Sequence, residues 1–311
     1  MKNLRNQEEI MATWKGEPDK PVVSICCITY NHESYIEDAL EGFLIQETDF
    51  PFEILIHDDA STDRTTEIIR QYEAHYPNLI KPIYQTDNQY SKGKKINAEF
   101  NYKRAKGKYV SLCEGDDYWR DEHKLSIQKN FLENNEQYSI VYHDAIVIDG
   151  SGRKVHENKL SKNNRKDASE YELKTSFKIS TQAVMVRYAV VKECYENIDP
   201  LLFGGDMFIK AIAGCFGKGK YISNIKPSAF RIHSGGINRG VLDESLKQQN
   251  YLRTRICLYK YFYLQKDIEV STYYLRQIAL TSLRSCIYKN NVFSRLVGKF
   301  SLLLLYINKI I

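Results

Sequence analysis

Val22-Val23-Ser24-Ile25-Cys26-Cys27-Ile28-Thr29-Tyr30-Asn31-His32-Glu33 is a short, β-branched apolar run that ends abruptly in polar residues. A run of this length, closed by a polar turn, predicts a buried strand. The residues after it are helical in pattern: Ile36, Ala39, Leu40, Phe43 and Leu44 recur at helical spacing, with Ser34 as the expected N-cap. The alternation then repeats. Phe52 to His57 predicts a second strand, and Ser61-Thr62-Asp63 opens a helix with Ile68, Ile69 and Tyr72 on one side. Leu79 to Tyr84 and Tyr109 to Cys113 predict a third and a fourth strand. Strands alternating with helices imply an α/β fold in which helices flank a mostly parallel central sheet.

Outside this core the pattern changes. Between Gly150 and Lys178 the chain turns polar, with Asn163-Asn164-Arg165-Lys166-Asp167 at its centre, which predicts a mobile excursion or lid. Thr181 to Val186 and Gly204 to Gly217 return to ordered patterns, and the chain is helical in pattern beyond Asp243. Met1 to Lys20 is polar and lacks the apolar stretch of a secretory signal. Leu302 to Ile307, an uninterrupted apolar run, is far short of the ~20 residues of a spanning helix.

With 43% hydrophobic and 27% charged residues, the 311-residue chain is ordinary globular material, neither disordered nor fibrous. Its net charge of +5 is spread among interspersed acids, giving little support to a nucleic-acid binder while permitting anionic lipid or phosphorylated ligands. The 23 tyrosines suit stacking on sugars or bases as well as ordinary core packing. Seven cysteines without a CxxC spacing imply reduced thiols and a cytoplasmic protein, and the adjacent Cys26 and Cys27 should point to opposite sheet faces.

Three polar clusters each follow an apolar strand: Thr29-Tyr30-Asn31, Asp58-Asp59, and Glu114-Gly115-Asp116-Asp117. In an open α/β sheet the carboxyl ends of parallel strands form the ligand crevice, so these groups should converge. Asp58-Asp59 serves equally as a turn feeding a helix or as an acceptor for a base N–H. Asp116-Asp117 beside Glu114 is costly unless solvated or bound to a hard divalent cation.

The stretches Val22 to Glu33, Glu53 to Asp63 and Gly107 to Trp119, in that order, resemble glycosyltransferase family 2. Weaker similarity continues through Gly205-Asp206 and Arg231-Ile232-His233. The resemblance implies a GT-A type catalytic domain over residues 21–240, with a nucleotide-binding half (21–125) and an acceptor-binding half (126–240). It leaves a polar segment, 1–20, and a helical extension, 241–311. It implies that Thr29, Tyr30, Asn31 and Glu33 hold the nucleoside, that Asp59 faces the base, and that Asp116 meets the ribose or donor sugar. Asp117 would ligate Mg2+ or Mn2+. The family motif is Asp, any residue, Asp; here Glu114-Gly115-Asp116-Asp117 leaves open which acid meets the metal. Asp206 matches the family's general base, against the alternative of an N-cap aspartate. Arg231 and His233 match a basic pair near the diphosphate, with His233 a further metal ligand or a structural histidine.

The implied reaction is inverting transfer of a sugar from a nucleotide donor, UDP-linked, to a hydroxyl of a glycan or lipid-linked acceptor in surface polysaccharide biosynthesis. From Leu283 onward, Arg284, Lys289, Arg295, Lys299 and Lys309 stand among Leu296, Val297, Phe300 and Leu302 to Leu305. That mixture suits either peripheral contact with the inner membrane face or a helix packed on protein. Two other readings compete. A nucleotidyltransferase of similar fold should carry a glycine- and basic-rich loop after the first strand, where Tyr30-Asn31-His32-Glu33 stands. A non-catalytic nucleotide- or carbohydrate-binding module is disfavoured by the joint presence of Asp59, Asp117 and Asp206. No dinucleotide or P-loop glycine motif occurs.

Overall fold

The computed structural model describes residues 4–236 and 244–288, without the side chains of residues 244, 245 and 284–288. In chain order these form α1 (Gln7–Met11), β1 (Val23–Thr29), α2 (Ile36–Leu44), β2 (Phe52–Asp58), α3 (Thr65–His75) and β3 (Ile80–Tyr84). A π-helical turn (Asn97–Asn101) then runs into α4 (Tyr102–Arg104), β4 (Tyr109–Leu112), α5 (Lys124–Asn134), β5 (Tyr138–Tyr142), β6 (Ala145–Asp149) and β7 (Lys154–His156). The chain continues through α6 (Glu170–Lys174), β8 (Val184–Arg187), α7 (Tyr188–Glu196), α8 (Gly205–Phe216), β9 (Lys218–Tyr221), β10 (Ser228–Ile232), α9 (Glu244–Leu264) and α10 (Ile268–Tyr288).

Seven strands form one sheet in the order β3-β2-β1-β4-β8-β5-β9. The first four are mutually parallel, β8 is inserted antiparallel between β4 and β5, and β9 runs parallel to β5. The sheet is therefore α/β with a parallel half and a mixed half. Both faces are covered, as a parallel sheet requires. Cys26 enters the core on one face with Val110 and Tyr142, and Cys27 the core on the other with Phe43 and Trp119. The helical hairpin α9/α10 closes the first of these cores through Leu258, Phe262 and Tyr274.

A second, three-stranded sheet (β10-β6-β7) stands at the carboxyl end of the parallel half. It is joined to the acidic turn after β4 by reciprocal backbone hydrogen bonds between Tyr118 and Ala229. This junction brings residues 231–233 over residues 116–117.

Three local expectations need correction. The region 150–178 is not a bare excursion: it holds β7, a 3-10 turn (Lys162–Asn164) and α6, whose N-terminus carries a capping box of Ser169 and Glu172. Ser34 does not cap α2, which begins after Tyr35 with no side-chain cap. The helix expected from Ser61 begins at Thr65, because Asp63 spends Oδ1 on the Thr65 N–H (2.9 Å) and Oδ2 on the Glu33 N–H (3.0 Å). Among the described residues no helix is long and apolar enough to cross a membrane. The basic-apolar segment from Lys289 to Lys309 lies outside the described residues.

Candidate functional site

The site is built where β1, β2 and β4 end side by side. Each strand releases the chain into a polar turn, and two of the turns are zipped together. Asn31, in the left-handed region at φ 54°, accepts the Thr62 N–H on Oδ1 (2.8 Å) and donates its own N–H to Ser61 Oγ (2.9 Å). Glu33 accepts the Arg64 N–H at 3.0 Å. Asn31 and Glu33 thus staple the two turns together, and like Tyr30 they are exposed. Thr29 is buried, and its Oγ1 lies 3.1 Å from His32 Nδ1.

The two aspartates after β2 have different duties. Asp58 accepts from Ser61 Oγ at 2.5 Å and from the Thr66 hydroxyl, so it fixes the turn into α3. Asp59 accepts the backbone N–H groups of Gln89 (2.7 Å) and Tyr90 (2.9 Å), one on each carboxylate oxygen, and is buried. It therefore clasps the loop after β3 to the crevice, and Tyr90, half exposed, stands at that rim.

After β4, Gly115 is demanded by packing: a Cβ there would lie 2.8 Å from Thr29 Oγ1. Asp116 faces the crevice, with Oδ2 3.0 Å from His233 Nε2 and 4.0 Å from His32 Nε2. Its Oδ1 is buried with no protein partner, which is the vacancy a cation or its water would satisfy. Burial pushes the Asp116 carboxyl up, but the hydrogen bond from His233 and the nearby imidazoles outweigh it and hold the group below the usual carboxylate range. Asp117 is partly engaged within the protein. It is buried, its Oδ1 accepts the Arg231 N–H at 2.8 Å, and burial beside Asp116 and Glu114 raises its pKa well above the usual range. Glu114 is pushed up to about 7, by burial first and then by the charges of Asp116 and Asp206, with Lys159 opposing.

Among the described residues, two groups each bring ligand-type atoms within 4.8 Å of one another: His32, Asp116 and His233; and Glu114, Asp116 and Asp117. Asp116 belongs to both. Mixed imidazole and carboxylate donors fit a divalent cation such as Mn2+. Arg231, expected beside a diphosphate, makes several contacts within the protein. It donates from Nε to the Asp116 carbonyl (3.0 Å), pairs with Asp38, and lies 4.7 Å from the Tyr35 ring centroid.

Asp206 sits in the first turn of α8, whose N-cap is Gly204 with no side-chain cap, so the aspartate does not cap its helix. It is exposed at a helix N-terminus, where the helix dipole favours the ionised carboxylate. Its charge is one of those acting on buried Glu114. The Gly204 N–H is held by Thr254 Oγ1 of α9 at 2.9 Å, so the C-terminal hairpin anchors the turn that presents Asp206.

His32 was not singled out by sequence reasoning. The available signal was its place three residues after Thr29, in the turn expected to face the ligand.

Residues 24–193 match the family model described as Glycosyl transferase family 2. A protein of Mycobacterium tuberculosis is 44% identical over 139 residues, 43% of this chain and 38% of its own length. TuaG of Bacillus subtilis, provisionally named a teichuronic acid biosynthesis glycosyltransferase, is 32% identical over 142 residues, 45% of this chain and 52% of its own. The matched part of the chain thus spans about two-fifths to half of these relatives. Among solved structures, S. aureus TarS 1–349 with UDP-GlcNAc covers 90% of this chain and 88% of its own at a TM-score of 0.56 and 19% identity. The mannosyltransferase PcManGT of Pyrobaculum calidifontis with GDP-Man and Mn2+ covers 94% and 84% at 0.51 and 16%. At such identities the likeness concerns the fold.

Proposed function

The chain belongs to glycosyl transferase family 2, and from that membership we propose that it is an inverting transferase moving a sugar from a nucleotide-diphosphate donor to a hydroxyl. The observation that carries the proposal is the Asp206 carboxylate, exposed on the first turn of α8 and within electrostatic reach of Glu114, in the acidic turn that also carries the Asp116–His233 pair. A carboxylate with no hydrogen bond or ion pair among the described residues, together with a cation-type site, has the two parts a single displacement needs: a base for the acceptor and charge neutralisation for the leaving group.

Asp116 and His233 would hold a divalent cation, Mg2+ or Mn2+, which supplies Lewis-acid neutralisation of a leaving diphosphate. This revises the assignment of the metal to Asp117, whose carboxylate is engaged by the Arg231 N–H. The carboxylate of Asp206 takes the proton of the acceptor hydroxyl as that oxygen attacks the anomeric carbon. One such displacement inverts the anomeric configuration. The nucleoside lies against the Thr29–Tyr30 end of β1 and the loop clasped by Asp59. In this reading residues 21–240 form the catalytic domain and the helices beyond 241 brace it.

The UDP-GlcNAc complex of TarS makes a uridine donor the first to try, and the name of TuaG favours a surface polysaccharide or lipid-linked glycan acceptor. A cytoplasmic enzyme meeting that acceptor at the inner membrane face completes the proposal. A thermal-shift screen of sugar nucleotides with Mn2+, followed by titration and a sugar-release assay on the best binder, tests the reading. Metal-dependent binding with sugar release is expected. Binding heat without release or transfer would make the chain a nucleotide-binding module instead.

A further inference from the structure

His32 is held in a way the proposed reaction has not used. Its Nδ1 lies 3.1 Å from Thr29 Oγ1, so Nε2 is the nitrogen turned to Asp116, at 4.0 Å from Oδ2. His233 Nε2 approaches the same oxygen to 3.0 Å. The two imidazoles stand edge to face with centroids 6.0 Å apart, and one ligand atom from each of the three residues falls within 4.8 Å of the others. Metal bonds of ~2.1 Å arranged at right angles set neighbouring ligand atoms about 3 Å apart. The His233–Asp116 pair is already at that spacing, and His32 reaches it by moving on the order of 1 Å. Asp116 Oδ1 stays buried without a partner beside them.

We propose that His32 is a third protein ligand, so that the cation sits on a face of two histidines and one carboxylate. The inference rests on the metal-dependent reading above and deepens it. In this arrangement Nδ1 donates to the Thr29 hydroxyl and Nε2 keeps its lone pair for the metal, which makes Thr29 a positioning residue. Gly115 serves the same end, because a Cβ there would strike Thr29 Oγ1 at 2.8 Å. Three ligands on one face leave the opposite positions to oxygen atoms of the diphosphate and water. Imidazole nitrogen suits Mn2+ better than Mg2+, which prefers an oxygen shell. The protein should therefore bind Mn2+ well ahead of Mg2+.

Electron spin-echo spectroscopy of bound Mn2+ counts coordinated imidazole nitrogens directly, on the full chain with Mn2+ alone and with Mn2+ plus UDP. Two nitrogens are expected in the unmodified protein and one in His32→Gln, with Mn2+ affinity falling at least tenfold while Mg2+ affinity changes less. Thr29→Val, which keeps the imidazole and removes its partner, should weaken Mn2+ binding severalfold. One nitrogen or none on bound Mn2+ in the unmodified protein would overturn the inference and leave the donor reading standing. No Mn2+ binding in either sample would overturn both.

Discussion

Whether a carboxylate belongs to the chemistry or to the scaffold is decided here by what its oxygens already hold. Asp117 keeps one oxygen on the Arg231 N–H. An amide reproduces that acceptor, so Asp117→Asn should bind Mn2+ within about threefold of the unmodified protein. Asp116→Asn removes the charge shared by both ligand-type clusters and should weaken Mn2+ binding by roughly 10–100-fold or more. Isothermal titration of the two variants with Mn2+ decides between them; the reverse order would return the metal to Asp117. Asp59 holds two backbone N–H groups, and an amide has one acceptor oxygen for them. Hydrogen bonds to charged groups are worth ~1.5–3 kcal/mol. Asp59→Asn should therefore weaken nucleotide binding by roughly tenfold and speed proteolysis within residues 86–95. Intact affinity with unchanged proteolysis would show that the clasp does not shape the pocket. At this scale the sequence marked positions at the strand ends but not the contacts each side chain makes within the protein. Asn31, Glu33 and Arg231, expected on the nucleotide, also tie separate segments of the chain together, through contacts 31 to 193 residues apart in sequence.

Strands and helices were more legible than their connections. β1, β2, β3 and β4 fall within a residue of the expected apolar runs; β1, β2 and β4 are buried strands of a parallel half-sheet, whose signature is continuous apolarity, and β3 is its half-buried edge. The antiparallel insertion of β8 was not legible, since the direction of a strand leaves no mark on its composition. The polar region after Gly150 hid β7, all of whose residues are exposed, and α6, although Ser169 and Glu172 carried a local capping signal. Packing between elements also sets tight limits. A Cβ on Gly42 of α2 would sit 2.9 Å from the backbone N and O of Trp119, just past the acidic turn. Gly42→Ala should destabilise the protein by about 1–3 kcal/mol, the usual cost of overpacking, and weaken Mn2+ binding as the turn shifts. Urea melts and Mn2+ titration on one preparation check both; normal stability would show that the two elements can separate at little cost.

Across the molecule, one buried polar chain ties the sheet to the acidic turn and to β10. Lys124 of α5 is fully buried, donating to Ser111 Oγ (2.7 Å) and Gln128 Oε1 (2.8 Å) with its Nζ 3.9 Å from the Trp119 ring centroid. Gln128 reaches His143, and His143 Nε2 lies 2.8 Å from Ser228 Oγ at the start of β10. Burial pushes the Lys124 ammonium down to about 7. Below that pH both folded and unfolded states carry the charge, and the cost of burying it is fully present. Between about 7 and the unfolded value of ~10.4 the unfolded state binds more protons, so this residue's contribution to stability rises with pH. Relative to Lys124→Met, the unmodified protein should gain up to about 3 kcal/mol between pH 7 and 9.5 in urea melts. A pH-independent difference would mean that Lys124 keeps its charge throughout, held by the Trp119 face and its two acceptors.

The central claim is that Asp206 acts as the base while the nucleotide is held elsewhere. The most direct measurement is turnover and donor affinity on the same Asp206→Asn preparation. Asp206 caps no helix, and the amide is isosteric, so donor affinity should stay within about twofold. Transfer should fall by roughly 10²–10⁴, the range of general-base catalysis. Near-normal turnover with intact binding would contradict the account and move the base to another acid of the crevice, Glu114 first.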